Sequence, residues 1–255
     1  MTLKELDVWL KSFLKPELYP QDPSRNGIQI QNSDPDNKQI KKVAVAVDAC
    51  YETAVKAAKQ GADVLFVHHG LFWGGCEPIV GTTYNRYQAF LKNDLALYAM
   101  HIPLDANNPY GNNYGLANRI GLTNLQEFGQ WRGMTLGVKG ELSKECSVSE
   151  LAQKVLNPNE TPLKILNFGK EKIKTVGIIS GGAAEDVYQA IEKGLDVYIT
   201  GEVSHELFHY VKESKMNLIA GGHYQTETVG INLIRQKIEK ELGLETVFID
   251  VPTSL

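Results

Sequence analysis

Cysteine is scarce in this chain, with three in 255 residues. Cys50, Cys76 and Cys146 lie far apart and show no Cys-x-x-Cys spacing, so a disulfide framework is not expected. Buried or free thiols in a reducing cytoplasm are the simplest reading. No apolar run is long enough to span a bilayer. Glu5 and Asp7 interrupt the first segment where the apolar core of a secretory leader belongs, so no such leader is expected. Positive charge is also in short supply: 26 Lys and Arg stand against 30 Asp and Glu, a formal charge of −4. Short of a local basic patch, that argues against a broad nucleic-acid binder. A Gly-x-Ser-x-Gly elbow, a Walker loop and a Rossmann fingerprint are all missing. So is any low-complexity segment or long flexible linker.

What is present is an ordinary globular composition, 43% hydrophobic and 22% charged, in a chain long enough for two domains with a core each. An internal repeat supports that division. Ile40-Lys41-Lys42-Val43-Ala44-Val45 opens a stretch running through Gly61-Ala62-Asp63-Val64 to His68-His69. A shift of 133 positions gives Ile173-Lys174-Thr175-Val176-Gly177-Ile178, then Gly194-Leu195-Asp196-Val197, then Gly201-Glu202, without a gap. Further on, Leu97-Tyr98-Ala99-Met100-His101 resembles Leu218-Ile219-Ala220-Gly221-Gly222-His223. Each copy reads as strand, helix ending near a glycine, strand, helix and a third strand ending at a histidine. The expected fold class is α/β: two related α/β domains arising from the repeat. The first domain is expected over residues 1–125, completed by the segment 228–255, and the second over 126–227.

Other stretches place the boundaries. Thr2 and Glu5 form a capping box, and Leu6, Trp9, Leu10 and Phe13 then make one apolar face, so a short helix is expected at the start. Pro16, Pro20 and Pro23 end it and lead to an Asn26-Gly27 turn before the strand Ile28-Gln29-Ile30. Loop formers from Asn107 to Asn113 follow Asp105 and are expected to border the site. Residues from about 129 to 169 lack the repeat pattern and include a helix from Ser149 to Leu156.

The chemistry lies in three clusters holding four of the six histidines: His68-His69-Gly70, His101-Ile102-Pro103-Leu104-Asp105 and His223-Tyr224-Gln225-Thr226-Glu227. Imidazole nitrogen with carboxylate oxygen is a ligand set for transition metals, and this much of it suggests more than one ion. In open α/β sheets ligands gather beyond the carboxyl ends of strands, where all three clusters fall. Neighbouring strand residues face opposite ways, but at a strand end with Gly70 releasing the backbone His68 and His69 can diverge, each toward its own ion. Asp105 and Glu227 supply hard oxygens able to bridge two cations. Two carboxylates against two divalent cations leave net positive charge for hydroxide or an anionic substrate. His101 either ligates or orients Asp105. His205 and His209 lie four apart on an expected helix, as a metal pair or a solvated face. Ser180-Gly181-Gly182 either cradles an anion or packs tightly.

Asn26-Gly27-Ile28-Gln29, Val67-His68-His69-Gly70, His101 to Asp105, Ile199-Thr200-Gly201-Glu202 and Gly222 to Glu227 together resemble the motif series of the dinuclear-metal-centre family, also labelled GTP cyclohydrolase I type 2 homologues. The resemblance runs from the N-terminus to Phe248-Ile249-Asp250-Val251-Pro252. It implies two related α/β domains with a metal site in the cleft between them, two divalent cations per chain and a ring-shaped homohexamer. Carried onto this sequence, the metal ligands are His68, His69, Asp105, His223 and Glu227. Some relatives have His where this chain has Tyr224. Some carry an extra domain between the halves, for which the middle segment here has no room.

The expected function is that of a metal-dependent hydrolase of a nucleotide or phosphorylated substrate, GTP ring opening being the named candidate. His101 or Glu202 would shuttle the proton. The competing expectation is a metal-binding or metal-delivery protein, or an oligomeric interaction module, because no substrate-specific motif is recognisable. Three imidazoles speak against calcium and magnesium and leave zinc, iron, manganese, cobalt or nickel.

Overall fold

A computed structural model describes residues 1–255. The chain folds as two compact units, Met1–Leu104 with Ile231–Val251, and Asp105–Gly230 with Pro252–Leu255. In chain order the elements are α1 (Leu3–Leu14), β1 (Gly27–Ile30), β2 (Lys42–Asp48), α2 (Tyr51–Lys59), β3 (Val64–His69), α3 (Gly81–Lys92), β4 (Ala96–Ala99) and α4 (Ile102–Ala106). Then come α5 (Asn112–Arg119), β5 (Leu122–Trp131), β6 (Met134–Cys146), α6 (Val148–Val155), β7 (Lys164–Asn167) and β8 (Ile173–Ile178). The last are α7 (Val187–Glu192), β9 (Val197–Thr200), α8 (Leu207–Glu213), β10 (Asn217–Ala220), α9 (His223–Leu242) and β11 (Glu245–Phe248).

The first unit holds a five-stranded sheet in the order β1-β4-β3-β2-β11. β2, β3, β4 and β11 run parallel, and β1 closes the β4 edge antiparallel. The inner strands are almost wholly buried, which is why they read as continuous apolar runs rather than alternating ones. Helix α1 starts at the expected capping box: the Glu5 amide donates to Thr2 Oγ1 (3.3 Å) and the Thr2 amide to Glu5 Oε2 (2.8 Å). Its buried stripe is Leu3, Leu6, Leu10 and Leu14. Trp9 and Phe13, expected in that stripe, sit beside it instead, with the Lys237 ammonium 4.9 Å from the Phe13 ring centre.

The second unit holds a six-stranded sheet in the order β5-β6-β8-β9-β10-β7. Its parallel core β8-β9-β10 corresponds to β2-β3-β4, and β7 closes the β10 edge antiparallel as β1 closes β4. On the other side β5 and β6 form a long hairpin that the first unit lacks. Arg132 and Gly133 turn it, both at positive φ (50° and 77°), as a two-residue hairpin turn requires.

The repeat is visible bond by bond. Asp63 Oδ2 accepts from the amides of Lys41 (2.7 Å) and Lys42 (3.1 Å), and Asp196 Oδ2 accepts from those of Lys174 and Thr175 (both 2.9 Å). Gly61 and Gly194 end the preceding helices at φ 69° and 65°, a conformation that favours glycine. The carboxylate thus ties the start of one strand to the start of the next, in both copies.

Asp196 also takes Lys170 Nζ at 2.6 Å and is the more buried of the two carboxylates. Burial pushes its pKa up, but the Lys170 bond and the Thr175 and Lys174 amides outweigh that and hold it below 3.8. A depressed carboxyl adds stability above its unfolded pKa that is lost as the pH falls through the folded value. Asp196→Ala should therefore lower stability at pH 7 by ~2–3 kcal/mol, read by urea denaturation. The difference should shrink below pH 3.8, where the wild-type carboxylate itself begins to take up a proton.

Candidate metal centre

In the first unit, β3 delivers His68 and His69 at its carboxyl end. His68 is fully buried, and its Nδ1–H donates to the Met100 carbonyl at 3.1 Å. A carbonyl only accepts, so Nδ1 carries a proton, and the lone pair of a neutral ring there would be on Nε2. His69 is paired in register with Asp48 on β2, and its Nδ1 lies 2.8 Å from Asp48 Oδ1. His101, just after β4, has Nδ1 2.8 Å from Asp22 Oδ1. The rings of His68 and His69 are 4.5 Å apart, and that of His101 is 5.0 Å and 5.6 Å from them. One ligand-capable atom from each lies within 4.8 Å of the others, so this trio could hold a metal ion. Trp73 stands edge-on to His101 at 4.9 Å, its indole N–H donating to the Gly70 carbonyl.

Asp22 organises this corner. Its Oδ1 accepts from the Ser24 amide (2.9 Å) and from His101; its Oδ2 accepts from Asn26 Nδ2 (2.8 Å) and the Ile102 amide (3.0 Å). Asn26 Oδ1 in turn takes the His101 amide at 2.8 Å. Burial alone would raise the Asp22 pKa, but the bonds from His101, Asn26 and Ser24 prevail and hold it below the usual carboxylate range.

In the second unit, Asp105 is buried, and its Oδ1 accepts from Asn112 Nδ2 (2.9 Å) and Ser180 Oγ (3.0 Å). Asn113 Oδ1 takes the Ser180 amide at 2.7 Å, so the two asparagines of α5 set both the carboxylate and its partner. His223 and Glu227 are one turn apart on α9, with Nε2 and Oε1 at 3.1 Å. His223 Nδ1 lies 2.5 Å from Glu202 Oε1. Glu227 is buried against Gly181, where an added Cβ would collide with its Oε1, and Gly181 also has φ 67°. Only glycine leaves that carboxylate its place.

In each unit the donors, imidazole nitrogen and carboxylate oxygen, are of the kind that suits a transition-metal ion. Each of His68, His69, His101 and His223 has Nδ1 held by an oxygen, the arrangement that in metal-ligating histidines fixes the ring and leaves Nε2 for the ion. His223 lies between two carboxylates, a place suited to a cation. Burial disfavours its charge, but the hydrogen bonds and attraction of Glu227 and then Glu202 more than reverse that, raising its pKa to about 9.

Several sequence expectations change here. His205 and His209 do not form a helical pair, because α8 begins at Leu207 and His205 lies in the turn before it. Ser180-Gly181-Gly182 does not cradle an anion: the Gly181 position faces the Glu227 carboxylate, and the following helix α7 has only 6 residues. The loop after Asp105 stops at Gly111, and Asn112 and Asn113 are buried in α5. Asn112 and Asn113 fall in the stretch expected to border the site, as helix rather than loop, and hold Asp105 and Ser180. Asp22 and Asp48 hold His101 and His69 without being marked in the sequence. The available signals are slight: a carboxylate at a strand end for Asp48, and a bonding-capable residue in a proline-rich turn for Asp22.

The chain matches the Duf34/NIF3 (NGG1p interacting factor 3) family over residues 1–254 and belongs to it. A Treponema pallidum protein named GTP cyclohydrolase 1 type 2 homolog is 40% identical, with all of both chains covered. Among solved structures, the ybgI protein, described as of unknown function, superposes with a TM-score of 0.90 at 31% identity over all of both chains. TTHA1606 from Thermus thermophilus does so with a TM-score of 0.87 at 34% identity, again over all of both. The family resemblance and the two-domain α/β fold expected from sequence are both met. No helix is long and apolar enough to cross a membrane.

In metal-free protein the His223 ring should titrate near pH 9 rather than 6.5, followed by NMR. A histidine with a raised pKa stabilises the fold fully below 6.5 and loses that contribution as the pH rises through about 9. Glu202→Gln should bring the midpoint down, with Glu227 keeping part of the shift. A wild-type midpoint at 6.5 or lower would contradict the paired arrangement.

Proposed function

We propose that the chain is a metal-dependent hydrolase of a nucleotide or phosphorylated substrate, with ring opening of GTP as the leading candidate. His68, His69, Asp105, His223 and Glu227 together hold two divalent cations, drawn from zinc, iron, manganese, cobalt and nickel. The observation that carries this reading is the common tethering of the imidazoles through Nδ1. Family membership supports it, since relatives bear the name GTP cyclohydrolase 1 type 2 homolog. When bound, such a pair supplies Lewis acidity for activating water and for stabilising developing negative charge.

The chain's own groups do the rest. His68 and His69 would serve different cations and Glu227 would be offered to both, while Asp22 keeps His101 in place at the edge of the site. Glu202, half exposed at 48%, takes a proton on its carboxylate and returns it to the leaving side. The protein works as a closed homo-oligomer, six chains by family resemblance, as closed symmetry is the norm for soluble assemblies. The three free cysteines suit a reducing cytoplasm.

The test is a panel of nucleotides and phosphate esters given to metal-reconstituted protein, with phosphate, formate and ring-opened purine all followed. Turnover should require metal and vanish in His69→Ala and Asp105→Ala while circular dichroism stays unchanged. Full activity in both variants sinks the hydrolase reading. Bound metal with no turnover on any compound hands the function to metal delivery. Elemental analysis should give two ions per chain, and Glu227→Ala should weaken both sites together. A stable monomer by light scattering at micromolar concentration would rule out the assembly.

A further inference from the structure

The second unit contains a cavity of about 560 Å³ whose lining includes Lys164, Leu166, Glu202, His205, Phe208 and Ala220. Its size is that of a small-molecule site, mostly apolar with a few polar groups. We infer that it receives a flat nitrogen heterocycle carrying an anionic group, held by its ring against Phe208, by an N–H on Glu202 and by its anion at Lys164. This deepens the hydrolase reading and rests on it for the nature of the substrate.

Each part of that occupant follows from a wall of the cavity. Leu166 and Ala220 are buried apolar residues, and Phe208 adds an aromatic ring, which together favour a flat, weakly hydrated body. A sugar would leave these walls without apolar partners. Glu202 is a carboxylate and only accepts when ionised, so the occupant must offer a donor there. An ionised fatty acid has none to offer. The sheet fixes the separation of the polar ends. Thr200, Ala220 and Lys164 lie in one row across β9, β10 and β7, so the β9 end that leads to Glu202 is two strand spacings, about 10 Å, from Lys164. That separation calls for a ring and an anion joined by a spacer rather than a lone ring. Glu202 is also the residue that holds His223 Nδ1, which places the occupant's donor edge beside a proposed metal ligand.

The experiment uses full-length, metal-free protein and guanosine monophosphate as the probe, measured by calorimetry, with inorganic phosphate and adenosine monophosphate as comparison arms. Guanosine monophosphate should bind one to one, and Phe208→Ala and Lys164→Glu should each weaken it at least tenfold. The His205 ring signals should move on titration in the wild type. Phe208 also packs edge-on to Phe168, so the exposed Lys164→Glu change keeps the test sound if Phe208→Ala disturbs the fold. Unchanged affinity in Lys164→Glu, no saturable binding, or inorganic phosphate binding as tightly as the nucleotide overturns the inference. Guanine can present two N–H donors to one carboxylate and adenine only its amino group, so adenosine monophosphate should bind more weakly. Tighter binding of it overturns Glu202 as the acceptor of the ring's N–H edge. The two readings fail separately. Nucleotide turnover with KM unmoved in both variants removes the cavity and leaves the hydrolase. Variant-sensitive binding in a protein that turns over nothing does the reverse.

Discussion

An imidazole can offer a lone pair in a fixed direction only when its other nitrogen is committed to an acceptor. Four histidines of this chain meet that condition at Nδ1, through a carbonyl, two aspartates and a glutamate. Much of the local architecture serves those bonds. The β2–β3 register puts Asp48 beside His69, the chain after β4 brings the Met100 carbonyl to His68, and the proline-rich turn after α1 carries Asp22 to His101. Loss of any acceptor would free the ring to rotate or change tautomer without removing a candidate ligand, which is why such positions matter nearly as much as ligands do.

The repeat explains how one scaffold came to hold two unlike halves. Backbone ties are kept: Met100 N–H to the Val67 carbonyl and Gly221 N–H to the Thr200 carbonyl occupy equivalent places at 3.0 and 2.8 Å. Side chains at the strand ends have diverged. Asp48 and His69 of the first copy correspond to Gly181 and Glu202 of the second, by the same shift of 133 positions. Losing the side chain at 181 makes room for Glu227, and gaining a carboxylate at 202 gives His223 its partner. The frame is set by Asp63 and Asp196 at the opposite strand ends, remote from the exchanged residues, so the chemistry could change without disturbing the pairing.

That distribution also decides what is legible in the sequence. Candidate ligands stand out because His-His and His-x-x-x-carboxylate are local patterns, and the parallel cores because buried strands are apolar runs. Asp48 and Asp22 act through contacts made in space, by strand register and by a loop, and the sequence near them marks them only slightly. Asn112 and Asn113, by contrast, stand out as part of the loop-former stretch after Asp105 but not as the buried start of a helix. The β5–β6 hairpin gives little signal because its turn is Arg132-Gly133 rather than an Asn-Gly or Asp-Gly pair, and because β5 alternates poorly between buried and exposed positions. The His205 and His209 spacing suggests a helical pair, yet spacing alone does not locate a helix start, and α8 starts two residues after His205.

The second unit shows why fold and chemistry share a proton. Asp105 and Glu227 are 7% and 3% exposed, and a buried carboxylate without compensation disfavours folding strongly. Asp105 is compensated by neutral donors, Asn112 and Ser180, which remain whatever the pH. Glu227 faces His223, which at neutral pH is held as a cation between two carboxylates. A metal ion arriving at His223 Nε2 would displace a proton and supply the compensating charge itself. In the metal-free protein the protonated His223 ring is thus the positive charge that stands beside Glu227.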